Sequence, residues 1–345
     1  MFSKTKAAAN AQTSFKNTSY YFSSFSENFN ESLKVLLEFT QTPYFTKENV
    51  EKERGIIEQE IKMYEDSPEW VCFFNCLQGM FLKSAVKEKI SGSVSSIAKI
   101  DKELLYSCYN SFYCPSNMAL VVAGNFNKDE VLNLIEEKFR IKNIFKIQKQ
   151  KQSEPEEVKS RYVESIMPIL NPIFNIGFKL RQRQGEELFK LKIGLEILTE
   201  LLFKEGSKLC EEFYETKLVF GGEIEAEVLY GNDYFALILS GESYDPKKVL
   251  EYVFKEIEYR KKEGFEEEEF LSVKKTIYKN IIKSFSTPEK MANFLTESYL
   301  DDFLLLDPLD AVANFTLCDL KNTLKQLDLN KTTFSVVWPK NKERK

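Results

Sequence analysis

The stretch ERGIIEQEIKMYEDSP, residues 53–68, decides how the rest of the chain is interpreted. Thr46 is a suitable N-cap upstream and Pro68 marks a break, so the sequence predicts one helix between them. Its apolar face carries Val50, Ile57, Ile61 and Tyr64. Glu53 and Glu60 are seven residues apart, two helical turns, so their carboxylates are predicted to lie along one line. Such a pair suits a metal or acid site, although charged runs are more often simply solvated.

Length and composition narrow the class of protein. The 345 residues suit two domains or one large one, with 43% hydrophobic and 29% charged residues as in globular proteins. The net charge of -5 shows no excess of basic residues, so nucleic acid is not an expected partner. The sequence shows no membrane-length apolar run and no signal peptide at its start, and its six cysteines are scattered. These features predict a cytoplasmic location.

The chain contains no histidine. Zinc hydrolases usually use at least one imidazole ligand, and histidine is the commonest general base near neutral pH. A Ser-His-Asp or Cys-His arrangement is therefore excluded for these residues. Cys72 and Cys76 are spaced i, i+4 on a predicted helix and are a further metal candidate, but buried thiols explain them more simply.

The order of the predicted elements indicates an α+β fold. Small and polar residues at 7–15, followed by aromatic residues at 20–25, predict a β-hairpin, and several helices follow. The apolar run at 117–125 predicts a strand that is buried on both faces. The second half repeats the plan and ends in a predicted strand at 331–338, which indicates a duplicated domain.

Residues 143–160 separate the two halves. They are rich in Lys and Gln and almost without apolar residues after Ile147, so they predict an exposed linker. The expected domains are therefore residues 1–142 and residues 161–345, with the linker at 143–160 between them.

Three segments resemble the insulinase/pitrilysin (M16) family of zinc metallopeptidases, in its bacterial processing-protease-like branch. Residues 10–13 (NAQT) with Tyr20 resemble the family's NA-x-T…Y edge strand. Glu53-Arg54…Glu60 resembles the downstream Glu segment of the metal site, and residues 112–118 (FYCPSNM) resemble the FY-x-P-x-NM segment.

The resemblance implies two homologous α+β domains, each a mostly antiparallel sheet with helices packed on one face, as in the mitochondrial processing peptidase. It also implies a zinc ion held by H-x-x-E-H and a distal Glu, with the Glu of the motif as general base. By position, Glu60 matches the distal zinc ligand and Glu53 matches the acid that supports it. The edge strand to which family substrates add corresponds to Ala9, Asn10, Ala11, Gln12 and Thr13.

The sequence departs from the family in one respect, because H-x-x-E-H is absent. The family places that motif farther upstream than the 59 residues that precede Glu60. A first domain that is N-terminally incomplete is therefore expected, with no catalytic residues in this chain. Because a catalytic zinc needs about three protein ligands, this chain alone is expected to bind none.

Three functions remain open. The first is a catalytically inactive M16 homologue that binds extended peptide or an active M16-type partner subunit. The second is the remainder of an active zinc metalloendopeptidase, shortened by a wrong start codon or a frameshift. This hypothesis is favoured by the start of the chain at Met1, just upstream of the predicted edge strand. The third is a structural interaction protein, against which the retention of Glu53, Glu60 and the edge strand argues. Whether the chain is an enzyme is thus undecided at the level of sequence.

Overall fold

The computed structural model describes residues 4–138, 153–303 and 307–340. Within these ranges the strands are β1 (Ala8–Thr13), β2 (Thr18–Ser23), β3 (Tyr162–Met167), β4 (Ile173–Lys179), β5 (Glu225–Tyr230), β6 (Phe235–Glu242) and β7 (Thr332–Pro339). The helices are α1 (Phe29–Gln41), α2 (Lys47–Glu65), α3 (Pro68–Met80), α4 (Val94–Ile97), α5 (Lys102–Phe112), α6 (Lys128–Lys138), α7 (Gly185–Phe203), α8 (Lys208–Thr216), α9 (Pro246–Glu263), α10 (Glu267–Lys283), α11 (Pro288–Leu300), α12 (Asp307–Asn314) and α13 (Leu317–Gln326). Strands and helices together confirm the α+β class.

The chain forms two compact units, neither of which is continuous in sequence. Unit 1 comprises residues 1–61, 90–150 and 284–297, and unit 2 comprises residues 62–89, 151–283 and 298–345. The domain division expected from the sequence stays a prediction.

Unit 1 contains the predicted hairpin, in which β1 and β2 pair antiparallel from Ala8↔Ser23 to Thr13↔Thr18. Helices α1 and α6 pack together beside it through a small buried cluster. Phe22 of β2 packs against that cluster, so the hairpin is held to α1 on one face. The buried members of the cluster are Leu33, Leu37, Val131 and Leu134.

The predicted buried strand at 117–125 is wrong. Residues 118–123 form no strand, and Leu120 is 41% exposed. Val122 does pack against the α1–α6 cluster, so part of the apolar run is used for packing. A strand also needs a hydrogen-bonded neighbour, and among the residues with described positions no strand pairs with this segment.

Helix α2 begins as predicted, because Asn49 N donates to Thr46 Oγ1 at 3.1 Å and so caps the helix. Its apolar face holds Ile61, which is fully buried. The helix ends at Glu65, and Pro68 then occupies the first turn of α3, where its missing N–H has no cost.

Unit 2 is built on a five-stranded sheet in the order β3-β7-β4-β6-β5. All neighbours are antiparallel except β3 and β7, which run parallel. One face of β4 joins the main core through Phe174, Ile176 and Phe178. Helices α7, α9, α10 and α13 also contribute to that core, with Leu195, Val253, Ile277 and Leu320 among the buried residues.

The opposite face of this sheet is covered by α3, a helix from the N-terminal half of the chain. A Cβ on Gly177 of β4 would lie 2.6 Å from both Cys76 Sγ and Met80 Sδ, so the helix and the strand approach very closely. The sequence pattern gave no sign that helices cover both faces of the second sheet.

The described end of the predicted linker, residues 153–160, is anchored at Glu154. Residues 143–152 lie outside the described residues, but the side chain of Glu154 is only 6% exposed and binds Lys179 Nζ at 2.7 Å. Its carboxylate also accepts hydrogen bonds from three backbone N–H groups, those of Leu82, Lys83 and Ser84. Burial raises the pKa of Glu154, but the bonds from Lys179 and the backbone outweigh it and hold the pKa below its usual value.

Over the ranges given above, no helix combines the length and the apolar character needed to cross a membrane.

Candidate functional site

One edge of β1 pairs with β2, and the other edge has no partner strand among the described residues. The turn shows which backbone groups face that free edge. Ser14 N donates to Asn17 O at 2.9 Å, which makes residues 14 and 17 a hydrogen-bonded pair. Such pairs alternate along an antiparallel ladder, so residues 10 and 12 bond to β2. The residues whose N–H and C=O groups face outward are Ala9, Ala11 and Thr13.

The free edge is accessible, because all six residues of β1 are exposed. Two of the three outward-facing residues are alanines, whose side chains leave the backbone open to another chain. An open, uncharged edge of this kind is a template for an added strand. One outward group already has a partner: Ala11 N donates to Asn10 Oδ1 at 2.9 Å.

The hairpin is fixed to α5 by tyrosines. The hydroxyls of Tyr20 in β2 and Tyr113 just after α5 lie 2.6 Å apart. Tyr113 stacks on Tyr109 with ring centroids 4.7 Å apart, and Tyr109 in turn donates to Thr40 O in α1 at 2.7 Å. Burial, together with the bond to Tyr20, raises the pKa of Tyr113. Two of the segments used for the family resemblance are therefore in contact.

Sequence reasoning missed this tyrosine contact. Tyr106, Tyr109 and Tyr113 recur at i, i+3 and i+7, which is a helix-face signal. The spacing shows that the three side chains share a face, but it does not show that Tyr20 lies opposite them.

Glu53 and Glu60 lie on α2, and both are exposed. Within the described part of the chain, neither side chain takes part in a hydrogen bond or an ion pair. The neighbouring Arg54 donates to Ile100 O at 2.6 Å and so ties α2 to the segment before α5. The structure thus leaves both carboxylates available, while the arginine between them has a structural contact.

The described residues do not fit a zinc site by themselves. No group of three or more His, Cys, Asp or Glu side chains that could hold a metal ion occurs within them. Cys72 and Cys76 are fully buried in the α3–sheet contact, and Cys72 Sγ donates to Ser335 O at 3.4 Å. Burial raises the pKa of Cys72 to about 12, which disfavours the thiolate that a metal requires.

Comparisons with known proteins identify the family. The family model described as "Insulinase (Peptidase family M16)" matches residues 1–93, and the model described as "Peptidase M16 inactive domain" matches residues 99–277. The zinc protease YmfH of Bacillus subtilis is 34% identical over 348 residues, covering 98% of this chain and 80% of that protein.

A second similar protein is the beta subunit of the mitochondrial-processing peptidase from Caenorhabditis elegans. It is 28% identical over 133 residues, which cover 39% of this chain and 29% of that subunit.

Among solved structures, an M16-like peptidase from Alicyclobacillus acidocaldarius superimposes with a TM-score of 0.90 and 29% identity. The superposition covers 96% of this chain and 80% of that one. The peptidase M16 inactive domain from Pseudomonas fluorescens shares the fold, with a TM-score of 0.83 at 13% identity. That superposition covers 99% of this chain and 83% of the other chain.

Proposed function

The chain belongs to the insulinase family of peptidases, M16, and from that premise we propose that it is a non-catalytic homologue that binds extended peptide at the free edge of β1. The observation that carries the proposal is the outward-facing backbone of Ala9, Ala11 and Thr13 in an exposed strand. A peptide that adds there gains main-chain hydrogen bonds and needs no metal.

The non-catalytic part of the proposal rests on the donor set. Relatives are named zinc proteases, so zinc belongs to the family. In this chain the proposed remnants of the metal site are Glu60 as the distal ligand and Glu53 as the supporting acid. The chain has no histidine to complete the set, and two carboxylates fall short of the three or so protein ligands of a catalytic zinc.

An active M16-type partner subunit is a second candidate ligand. It is favoured by the similarity to a protein that is itself named as a subunit of a processing peptidase. In such a pair this chain would hold the peptide, and the partner would supply the metal chemistry.

The edge proposal is tested by Ala11→Pro, with binding of a short fluorescent peptide in which apolar and polar residues alternate. Proline removes the outward N–H and places its ring on the free edge, whereas the ladder to β2 does not use that N–H. We expect the affinity to fall about tenfold or more, as for a lost main-chain hydrogen bond with added steric conflict.

Gln326→Ala is the control, because it changes an exposed side chain outside β1 and leaves every backbone group intact. If Ala11→Pro binds like the wild type, or if both variants weaken binding equally, the edge is not the site. Zinc content after dialysis and cleavage of the same peptide are measured alongside. Stoichiometric zinc with chelator-sensitive cleavage would contradict the non-catalytic proposal and restore the active metalloendopeptidase.

A further inference from the structure

A buried set of four hydrogen-bond donors surrounds the carboxylate of Glu154, where the turn after α3 meets the end of β4. Glu154 Oε1 accepts from Leu82 N at 2.8 Å and from Lys179 Nζ at 2.7 Å. Glu154 Oε2 accepts from Lys83 N and from Ser84 N, both at 2.7 Å. Each oxygen therefore receives two hydrogen bonds, which is the number that a carboxylate oxygen can accept.

The donors are held in place by contacts that do not involve the glutamate. Lys179 Nζ also donates to Met80 O at 2.9 Å and lies 5.1 Å from the centre of the Phe81 ring. Ser84 Oγ accepts from Val86 N at 3.3 Å, which fixes the end of the turn that supplies the backbone donors. Without the glutamate, the site would keep a buried ammonium group and three backbone N–H groups that need an anionic acceptor.

We propose that these groups form a binding site for a monocarboxylate, which Glu154 fills as an internal ligand and which a small free carboxylate fills when the glutamate side chain is removed. The side chains of Glu154 and Lys179 are only 6% and 3% exposed, so water and salt screen their attraction little. Because Glu154 belongs to the segment between the two halves of the sequence, filling the site also ties residues 153–157 to the end of β4. The proposal does not rest on the proposed function of β1.

Glu154→Ala opens the site, and acetate is the probe. Acetate consists of a methyl group and a carboxylate, the same heavy atoms that this substitution removes, so it can take the vacated place and its hydrogen bonds. Glu154→Gln keeps the volume of the side chain but not its charge, and so leaves no space for acetate. Glu156→Ala is the matched control, because it removes a carboxylate two residues further along whose ion pair with Lys331 is exposed to solvent.

The first measurement is the urea midpoint in sodium acetate and in sodium chloride at equal concentrations. Glu154→Ala should lower the midpoint in chloride, because the charge of Lys179 stays buried without its partner. Acetate should recover most of this loss, and the recovered free energy should grow with the logarithm of the acetate concentration, as for a ligand that binds only the folded state. The wild type, Glu154→Gln and Glu156→Ala should respond alike to the exchange of salts.

The site is rejected if acetate raises the midpoint of Glu154→Ala by no more than that of the wild type. If Glu154→Ala does not fold in chloride, the same comparison is made on the yield of folded protein recovered from urea. Equal yields in acetate and in chloride then overturn the proposal as well.

The second measurement follows the tie to the linker with a protease that cuts after glutamate. Residues 138–153 contain no glutamate, so cleavage after Glu156 or Glu157 reports on this segment. Glu154→Ala should be cut there several-fold faster than the wild type, in acetate as well as in chloride. Free acetate fills the site and restores stability, but it is not attached to the linker. Cleavage at the wild-type rate would show that other contacts hold the segment, which overturns the role of Glu154 as its internal ligand.

Discussion

Substitution of Gly177 by alanine tests the closest contact in unit 2, where α3 meets β4. The added Cβ would lie 2.6 Å from Cys76 Sγ, 2.6 Å from Met80 Sδ and 2.8 Å from Met80 Cε. Since non-bonded atoms pack best at about 3.5–4.0 Å, the methyl group overlaps its neighbours by roughly 1 Å. Both neighbours are fully buried, so neither can move into solvent.

Overpacking of this kind costs about 1–3 kcal/mol. The flexible end of Met80 can shift and relieve part of the overlap. Cys76 has only one side-chain torsion, and its sulfur faces Thr333 O at 3.8 Å, so it has little room. We therefore expect Gly177→Ala to lower the free energy of unfolding by about 2 kcal/mol, within that range.

The assay is urea unfolding followed by tryptophan fluorescence. The two tryptophans of the chain, Trp70 in α3 and Trp338 in β7, both belong to unit 2. The signal therefore reports the unit that contains the substitution. The midpoint should fall while the slope stays the same, as for a change in stability alone.

Cys76→Ala combined with Gly177→Ala provides the matched control. It removes the sulfur that the new methyl group would strike, so the double variant should recover at least about 1 kcal/mol relative to the sum of the single effects. If Gly177→Ala unfolds at the wild-type midpoint, or if the two effects simply add, α3 does not pack against β4 as described.

Two further results are expected. In native protein at about pH 8, an alkylating reagent should modify the exposed Cys108 rapidly and spare Cys72. The sulfur of Cys72 is enclosed, and burial raises its pKa to about 12. Rapid labelling of Cys72, measured by mass spectrometry, would refute this burial. Because the folded-state pKa of Glu154 is lowered, its contribution to stability is present above the unfolded-state value of about 4.3 and is lost as the pH falls through the folded-state value. Glu154→Gln should therefore flatten the acid dependence of the urea midpoint below about pH 4, and an unchanged dependence would show that another group controls it.

The features that the sequence predicted well are those encoded by near neighbours. The cap by Thr46 and the helix that carries Glu53 and Glu60 depend on residues within a few turns of one another. The hairpin was likewise predictable, because a short polar turn joins two short runs. The exposed positions of both glutamates agree with the solvated-face interpretation, and their place in a former metal site stays a prediction.

The features that were missed depend on long-range partners. The run at 117–125 is apolar enough for a strand, but no pattern within it reveals whether a neighbouring strand exists. Glu154 appears in a polar segment, and its burial depends on Lys179, 25 residues away. Strand β3 was not predicted, because its alternation of exposed and half-buried residues is weak and its partner β7 lies near the C-terminus.

Within the candidate site, too, some features could be predicted from the sequence and others required the structure. The segment Ala9–Thr13 could be identified by resemblance, but which of its N–H groups face outward follows only from the pairing of Ser14 with Asn17. The bond between Asn10 and Ala11 is local, yet asparagine has several competing local partners, and the choice among them is made by the strand geometry.

The position of α3 has a consequence for how this protein can be divided. A gene split or a recombination point between residues 143 and 152 would respect the order of the sequence halves, but it would separate the sheet of unit 2 from the helix that covers one of its faces. The C-terminal fragment would then present the surface around Gly177 to water, and the helix would remain on the other fragment with its buried cysteines uncovered. The two halves are therefore not interchangeable modules, and a functional exchange of the second half has to carry residues 68–80 with it.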